Sequence, residues 1–306
     1  MLRYCILLIV TLVASRTTLQ VEVRNSEIWL IRNGEPTQLT RDGKSKLQAL
    51  LSPSQSRIAY YEQCPQSEGC IPSIVILDLE GHRTKAFQPK HQAMPEGTVC
   101  ASILAIAWTH ENAIAAECHI NPSLSEYVET DVNTGRVTRD LFGYDFVTSP
   151  DGKRVAHIGW VPHFSPPYAK SNYLQLDNTT IYPLPAGARP VEKNGLEGSR
   201  DVVLHRGLTF YGIYEITSAI SWSPDSQRVA FVDCTYDWTA KNADLRDGTA
   251  LNRRCSVVAI SVSGRFKRFP LTDVNNQNIF GAQLMWINSH QISVRTDGSS
   301  KMLNLP

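Results

Sequence analysis

The chain has 306 residues, of which 42% are hydrophobic and 19% charged, which is the composition of an ordinary globular protein. Its 30 Lys and Arg almost balance its 29 Asp and Glu, so the sequence lacks the positive excess that would attract nucleic acid or an anionic membrane surface. We therefore predict no nucleic-acid partner.

Residues 1–15 have the features of a secretory signal peptide. Arg3 supplies a positive charge, an apolar run follows at residues 6–13, and the small residues Ala14 and Ser15 suit cleavage. The run is shorter than the roughly 20 apolar residues that span a bilayer. We predict an exported protein, secreted or periplasmic, that is not integral to the membrane, with residues 20–306 forming a single domain.

Six cysteines remain once Cys5 leaves with the signal peptide, and an even number in an exported chain favours disulfides. Six cysteines allow 15 pairings, all formally open. Position along the chain favours three local bridges, namely Cys64 with Cys70, Cys100 with Cys118, and Cys234 with Cys255. The spacing fits zinc poorly, so we predict neither a metal nor a cofactor.

One short phrase occurs three times, beginning at Ser52, Ser149 and Ser223. It consists of Ser-Pro, three turn residues, Arg, a β-branched residue, Ala and a ring, and it recurs in units of roughly 40 to 70 residues, a period typical of repeat architectures. Pro and the small polar residues after it favour a tight turn between two strands. Because the phrase repeats, we assign its Ser, Asp and Arg residues a structural role, with the Arg bonded to backbone or Asp. Two weaker copies share the frame at residues 105–116 and 284–294.

Alternating apolar runs around tight turns predict a second set of hairpins, at residues 28–39, 74–87, 127–141, 173–184 and 257–271. Five inner and five outer hairpins predict an all-β fold, a five-bladed β-propeller. The ring would close by pairing of the N- and C-terminal segments in one shared blade, which removes the exposed sheet edge. Strand-like pieces within residues 185–217 leave six blades as the alternative.

The Ser-Pro-Asp-Gly type of phrase resembles the repeat of TolB-type β-propellers, which is also found in the propeller domains of prolyl-oligopeptidase-like enzymes. The copies at Ser52, Ser149 and Ser223 carry the resemblance. It implies the fold and, as a class of function only, a docking platform for partner proteins. The sequence departs from these families, because we expect no counterpart of the extra N-terminal α/β domain of TolB and it contains no Gly-x-Ser-x-Gly motif of a hydrolase domain.

The tight turns of a propeller lie on one face, and the long connections here all fall on the other, at residues 64–72, 88–100, 159–171, 185–217 and 234–255. Loops on one face of a repeat scaffold commonly bind ligands. These connections are rich in Trp, Tyr and Arg, the residues that dominate binding hot spots. The predicted binding residues are Trp160, His163, Tyr168, His205, Tyr211, Tyr214, Tyr236, Trp238 and Arg253. The alternative is that these rings only pack the loops against the scaffold.

The sequence thus predicts a non-catalytic propeller that binds a protein or another extracellular ligand through its loop-rich face. The alternative is a carbohydrate-active enzyme or lectin that uses the central pocket, because glycoside hydrolysis needs paired carboxylates. Three carboxylates stand near the ends of inner strands, namely Asp145, Glu215 and Glu117. A hydrolase requires two or three of them to converge.

Overall fold

The computed structural model describes residues 18–63, 71–92, 98–121, 124–159, 174–182, 208–240, 248–271, 282–296 and 299–305. Their regular structure consists of 22 β-strands. Within these ranges no helix is long and apolar enough to cross a membrane. The predicted signal peptide and the Cys64–Cys70 bridge lie outside the described residues.

The strands form six consecutive antiparallel units, numbered here in chain order. Unit one contains β1 (Leu19–Arg24), β2 (Glu27–Arg32) and β3 (Glu35–Gln38). Unit two contains β4 (Lys46–Leu51), β5 (Arg57–Glu62), β6 (Ser73–Asp78) and β7 (Arg83–Phe87). Units three and four contain β8 (Ile103–His110), β9 (Ala113–Asn121), β10 (Leu124–Asp131), β11 (Val137–Thr148), β12 (Val155–Ile158), β13 (Leu174–Leu176) and β14 (Thr179–Tyr182).

The last two units follow the same plan. Unit five contains β15 (Leu208–Ile216), β16 (Ser221–Trp222), β17 (Arg228–Ala240), β18 (Gly248–Ser261) and β19 (Phe266–Pro270). Unit six contains β20 (Gln283–Asn288), β21 (Gln291–Thr296) and β22 (Ser299–Asn304). The six units make five hydrogen-bonded sheets, because units three and four share one strand.

That shared strand is β11, whose first part pairs with β10 and whose last part pairs with β12. Gly143 lies at the junction with a φ of 151°. A Cβ atom there would collide with the carbonyl oxygen of Ile158 and approach the imidazole of His157. The continuous passage between two units therefore depends on glycine at this position.

An apolar cluster lies between each pair of successive units. Side chains alternate between the two faces of a strand, so each inner unit contributes to two clusters. In unit two, Val75 packs with Ile28 of unit one, whereas its neighbour Ile74 packs with Ile114 of unit three. Each inner unit therefore packs against the unit before it and the unit after it, which is the packing expected of propeller blades.

The repeated phrase forms the same turn in all three copies. In each, the buried Ser hydroxyl accepts the backbone N–H of the phrase Arg, and the fourth residue of the phrase has a positive φ. The hydroxyl pairs are Ser52 with Arg57 at 3.3 Å, Ser149 with Arg154 at 3.0 Å, and Ser223 with Arg228 at 2.9 Å. The positive-φ residues are Gln55, Gly152 and Ser226. The structural role predicted for the Ser is confirmed.

The phrase Arg also joins its unit to the next one. Arg228 donates to the Ser289 carbonyl at 2.6 Å and Arg154 to the Ser226 carbonyl at 3.5 Å. Arg57 donates to the Glu111 carboxylate at 3.0 Å. The Arg thus bonds the turn of the following unit, a contact between units that the sequence did not specify.

Two features of the ends correct the predicted topology. Among the described strands, unit one and unit six are separate three-stranded sheets, so the predicted shared blade is not found. The reason is that β1 and β22 each add a strand to their own unit, in the place where the other terminus was expected to pair. The strand-like piece at residues 208–216 pairs with β17 and belongs to unit five.

Candidate functional site

The two ends of the strands define two sides of the molecule. The side that carries the Ser-Pro turns is called here the turn side. The opposite side carries the connections between units and those between inner and outer hairpins, and is called the loop-rich side. In unit five the strands continue on the loop-rich side past the last β18–β19 pair, which joins Ser256 and Pro270.

This continuation is a three-stranded sheet formed by β15, the end of β17 and the start of β18. We call residues 208–216, 234–240 and 248–255 the extension. β15 pairs with β17 from Leu208–Ala240 to Ile216–Asp233, and β17 pairs with β18 as far as Ala240–Gly248. The predicted loop at residues 234–255 is therefore largely a β-hairpin, which the aromatic and Thr residues at 235–239 favour.

Five of the predicted binding residues lie on the extension, namely Tyr211 and Tyr214 on β15, Tyr236 and Trp238 on β17, and Arg253 on β18. Backbone pairing brings the strands together at Ile213–Tyr236 and Phe210–Trp238. The sequence placed these residues on two separate connections, whereas the fold places them on one sheet. Trp160, His163, Tyr168 and His205 lie outside the described residues.

A bulge in the β17–β18 ladder sets the geometry around Tyr236. The register shifts between Thr235 and Asp237, and Asn252 opposite has a φ of 54° and donates to the Asp237 carboxylate at 2.8 Å. The guanidinium of Arg253 lies 5.2 Å from the centroid of the Tyr236 ring, within cation–π range. The ring is 4% exposed, so Tyr236 supports a partly exposed Arg253 from beneath.

Tyr214 is fully buried in the cluster between units four and five. It lies beside the buried carboxylate of Asp233, which accepts hydrogen bonds from Arg268 at 2.7 Å and from Tyr182 at 3.1 Å. Burial raises the pKa of Asp233 despite the Arg268 charge, and burial together with that carboxylate raises the pKa of Tyr182 and Tyr214. In this conformation Tyr214 braces the base of the extension.

Asp233 was not among the residues that the sequence singled out. It is the one acid in the otherwise apolar run of residues 229–234. A single acid in an apolar run is a signal that could have marked Asp233 from the sequence, because a buried carboxylate needs hydrogen-bonding or charged partners.

Two predicted disulfides are confirmed. Cys234 and Cys255 are direct cross-strand partners at the base of the extension, with 4.1 Å between their Cα atoms. Cys100 and Cys118, with a Cα separation of 5.6 Å, join the connection before β8 to the end of β9. Disulfides form and persist in oxidising compartments, so they favour an extracellular or periplasmic location.

Two of the three predicted carboxylates come together on the loop-rich side. Asp145 is exposed and lies at a bulge of β11 with a φ of 51°. Burial raises the pKa of Glu117, and the nearby charge of Asp145 raises it further against a hydrogen bond with Ser125. Glu215 lies on β15, paired with Cys234, and its side chain is outside the described atoms. Glu117 and Asp145 are thus near enough to influence each other electrostatically, with Glu117 half-buried and Asp145 exposed.

A bulge of the same kind occurs on β4, the first strand of unit two. Gln48 has a φ of 52°, and its side-chain amide accepts the Ile106 N–H at 2.7 Å and donates to the Ile106 carbonyl at 3.0 Å. A bulge re-aims a side chain out of the regular pleat. The bulge at Gln48 allows a contact that joins two units, whereas the bulge at Asp145 places an exposed carboxylate on the surface.

Comparison with known proteins finds no matching family model and no matching curated protein. Matching solved structures include the β-propeller domain of the Trilobed protease from Pyrococcus furiosus, at 8% identity and a TM-score of 0.46, covering 94% of this chain and 81% of that one. TolB from Acinetobacter baumannii matches at 16% identity and a TM-score of 0.35, covering 93% of this chain and 62% of that one. A TolB-type protein from Agrobacterium tumefaciens matches at 12% identity and a TM-score of 0.37, covering 83% and 77%.

TolB-type propellers, predicted from the repeated phrase, are thus among the matching structures. At these identities and TM-scores the matches carry no information on function.

Proposed function

We propose that the protein is an exported, non-catalytic β-propeller that binds a protein or another extracellular ligand through its loop-rich side. The observation that carries the proposal is the extension, a three-stranded sheet that carries five predicted binding residues, of which Tyr214 and Tyr236 are buried and support the sheet from beneath. The extension is the part of the fold that departs most from the repeated unit, and departures on one face of a repeat scaffold are where binding sites commonly lie.

The base of the extension is built to be rigid. The Cys234–Cys255 bridge ties its two long strands, and the buried Tyr214 and Asp233 fill the space beneath. A preordered surface loses less conformational entropy when it binds, so more of the contact energy appears as affinity. The exposed side chains above this base include Leu251, Asn252 and Arg254.

Affinity capture with the folded protein tests the proposal. We expect the native protein to retain a defined partner from the envelope or extracellular fraction, and the double variant Trp238→Ala, Tyr168→Ala to lose most of it. The control is Phe266→Ala, which removes a ring that is 54% exposed at the end of β19 nearest the turn side. Equal capture by all three proteins, each with an unchanged unfolding midpoint, would show that the loop-rich side is not the binding face.

The arrangement of the units is part of the same proposal. We infer that the six units stand as blades around one axis, the count that the sequence offered as its alternative, because each has three to five strands and successive units pack through an apolar cluster. A thiol cross-linker between Gln20→Cys and Met302→Cys, on the outward faces of units one and six, should give an intramolecular product. Only intermolecular products would contradict a closed ring.

A second function, a carbohydrate-active site, is favoured by the pair Glu117 and Asp145. Burial raises the pKa of Glu117, and a carboxyl group with a raised pKa beside a second carboxylate suits a general acid and its partner. Purified protein should then release sugar from a panel of glycosides, and either Glu117→Gln or Asp145→Asn should reduce the rate by at least about a hundredfold. A rate unaffected by both variants would assign the activity to a contaminant and remove this candidate.

A further inference from the structure

A second pair of acids lies in unit three, with Glu126 fully buried and Asp140 half-buried. Glu126 on β10 is fully buried, and Asp140 on β11 is its diagonal neighbour, because Glu126 faces Phe142 and Val128 faces Asp140. Diagonal neighbours across an antiparallel pair are close enough for long side chains to touch. The Oδ1 atom of Asp140 is buried and has no hydrogen-bond partner among the described residues.

The other side of Glu126 holds the connection between units two and three. One carboxylate oxygen accepts the backbone N–H of Gln92 at 2.9 Å, and the other contacts Nδ1 of His91. His91 is itself 7% exposed. The connection is closed on itself by two further hydrogen bonds, from the His91 N–H to the Thr98 carbonyl and from the Cys100 N–H to the Pro89 carbonyl, both at 2.9 Å.

The charged groups around the pair do not neutralise it. Lys85 of β7 donates to the Asn133 carbonyl at 2.8 Å, and Cys118 of β9 is in a disulfide. Arg139, next to Asp140 in sequence, pairs with Glu129 at 3.7 Å and Asp177 at 3.6 Å on the opposite face of β11. Within the described part of the chain, His91 is the one basic group that contacts the pair.

Two neighbouring carboxylates, one of them fully buried, cannot both ionise at low cost. Burial and the adjacent carboxylate of Glu126 raise the pKa of Asp140 to about 7. A proton on Asp140 would also give the buried oxygen the partner that it lacks, by donating to Glu126.

We propose that Asp140 and Glu126 share one proton, and that losing this proton releases residues 89–92 from β10. When the proton passes to solvent, two negative charges face each other beside β10. Their repulsion is relieved when water reaches Glu126, which requires the His91 and Gln92 contacts to open. The pair is thus a pH-operated latch on a connection of the loop-rich side, and the inference does not depend on the proposed function.

Hydrogen exchange of the native protein tests the latch. After correction for the intrinsic rate, we expect protection of the His91 and Cys100 amides to fall about tenfold between pH 6 and pH 8. In Asp140→Asn the amide donates to Glu126 at every pH, so protection should stay high and flat. The control Glu35→Gln, an exposed acid on β3, should keep the native transition. Flat protection in the native protein, or an unchanged transition in Asp140→Asn, would overturn the proposal.

A second measurement needs no variant at Asp140. Infrared difference spectra of the native protein should show the C=O band of a protonated carboxylic acid that disappears as pH rises from 6 to 8. In Glu126→Gln the midpoint should move to lower pH, because the neighbouring charge is gone. The absence of such a band in the native protein at pH 6 would equally contradict the shared proton.

Discussion

The turn side and the loop-rich side of the molecule are built from the same strands but differ in regularity. On the turn side, the Ser52, Ser149 and Ser223 phrases give one turn three times, each with the same Ser–Arg hydrogen bond. On the loop-rich side no two units are alike among the described residues. Unit five carries the extension, and unit three carries the pair of acids Glu126 and Asp140. Both observed disulfides also lie on the loop-rich side.

The difference shows that residues repeated in several units and residues that occur only once have different physical origins. A repeated residue solves a problem that every unit has, such as closing a turn or joining the next unit. A residue that appears once, such as Gly143 in the strand shared by units three and four, solves no shared problem and has a backbone conformation that the repeat does not impose. The loop-rich side should therefore hold both the strain and the binding chemistry, and the following predictions test this division.

The largest effect is expected for Gly143→Ala, where β11 passes from unit three to unit four. The new Cβ atom would meet the Ile158 carbonyl in a backbone conformation that L residues avoid. We expect the free energy of unfolding to fall by about 3 kcal/mol or more, measured by urea titration.

The control is Gly135→Ala in the β10–β11 turn, where φ is 74° and no atom lies within 4 Å of the new Cβ. It should cost only about 1 kcal/mol. Equal losses in the two variants would show that close approach at Gly143 is not what requires glycine.

A somewhat smaller effect is expected when the bridge of the extension is removed. The double variant Cys234→Ser, Cys255→Ser opens a 21-residue link and should lose about 3 kcal/mol of unfolding free energy. The matched variant Cys100→Ser, Cys118→Ser opens an 18-residue link and should lose a similar amount. If the extension is the binding surface, only the first variant should weaken capture of the partner at a temperature where both are folded.

The sequence predicted the regular features of the fold well. Each hairpin follows from a turn signal between alternating runs, which is local information, and the two observed disulfides follow from their positions at strand ends. The closing blade was predicted wrongly, because β1 and β22 are short strands whose partners are decided by tertiary packing. The joining role of the phrase Arg was also missed, since a contact between units leaves no mark within one unit.

The candidate site was predicted in part for a similar reason. Aromatic composition marked Tyr236 and Trp238, but only the strand pairing shows that they share a sheet with Tyr211 and Tyr214. The acids Glu126 and Asp140 carry no local signal, because their proximity comes from the register of β10 against β11. Chemistry that depends on register lies beyond single-sequence patterns.

On the turn side, the contacts of the phrase Arg should have a moderate effect. Arg228→Met removes the 2.6 Å hydrogen bond to the Ser289 carbonyl, and Arg57→Met removes the bonds to Glu111. Each should lower the free energy of unfolding by about 1.5–3 kcal/mol, and by similar amounts, because they are the same contact in different units. Arg136→Met, at an exposed turn residue, should change it by less than about 0.5 kcal/mol. A large difference between the losses of unfolding free energy in the Arg57 and Arg228 variants would show that these contacts are not equivalent from unit to unit.

The smallest effect concerns Glu111, the acid that receives Arg57. Partial burial raises its pKa, but hydrogen bonds from Ser54, Arg57 and Ser52 outweigh this and lower it to about 2. Because the pKa is lower in the folded state, the stability that the charge contributes is present above pH 4.5 and is lost as pH falls towards 2. The side chain is 36% exposed, so solvent screening limits this contribution to about 1 kcal/mol.

Thermal unfolding of the native protein and Glu111→Gln between pH 2 and pH 6 measures this contribution. The native midpoint should exceed that of the variant at pH 6, and the two should converge as pH approaches 2. The control is Glu80→Gln, an exposed acid in the tight turn between β6 and β7, which should follow the native protein throughout. A constant offset between native and Glu111→Gln at every pH would mean that Glu111 acts through its shape and not its charge, so the turn side would be held by packing alone at this junction.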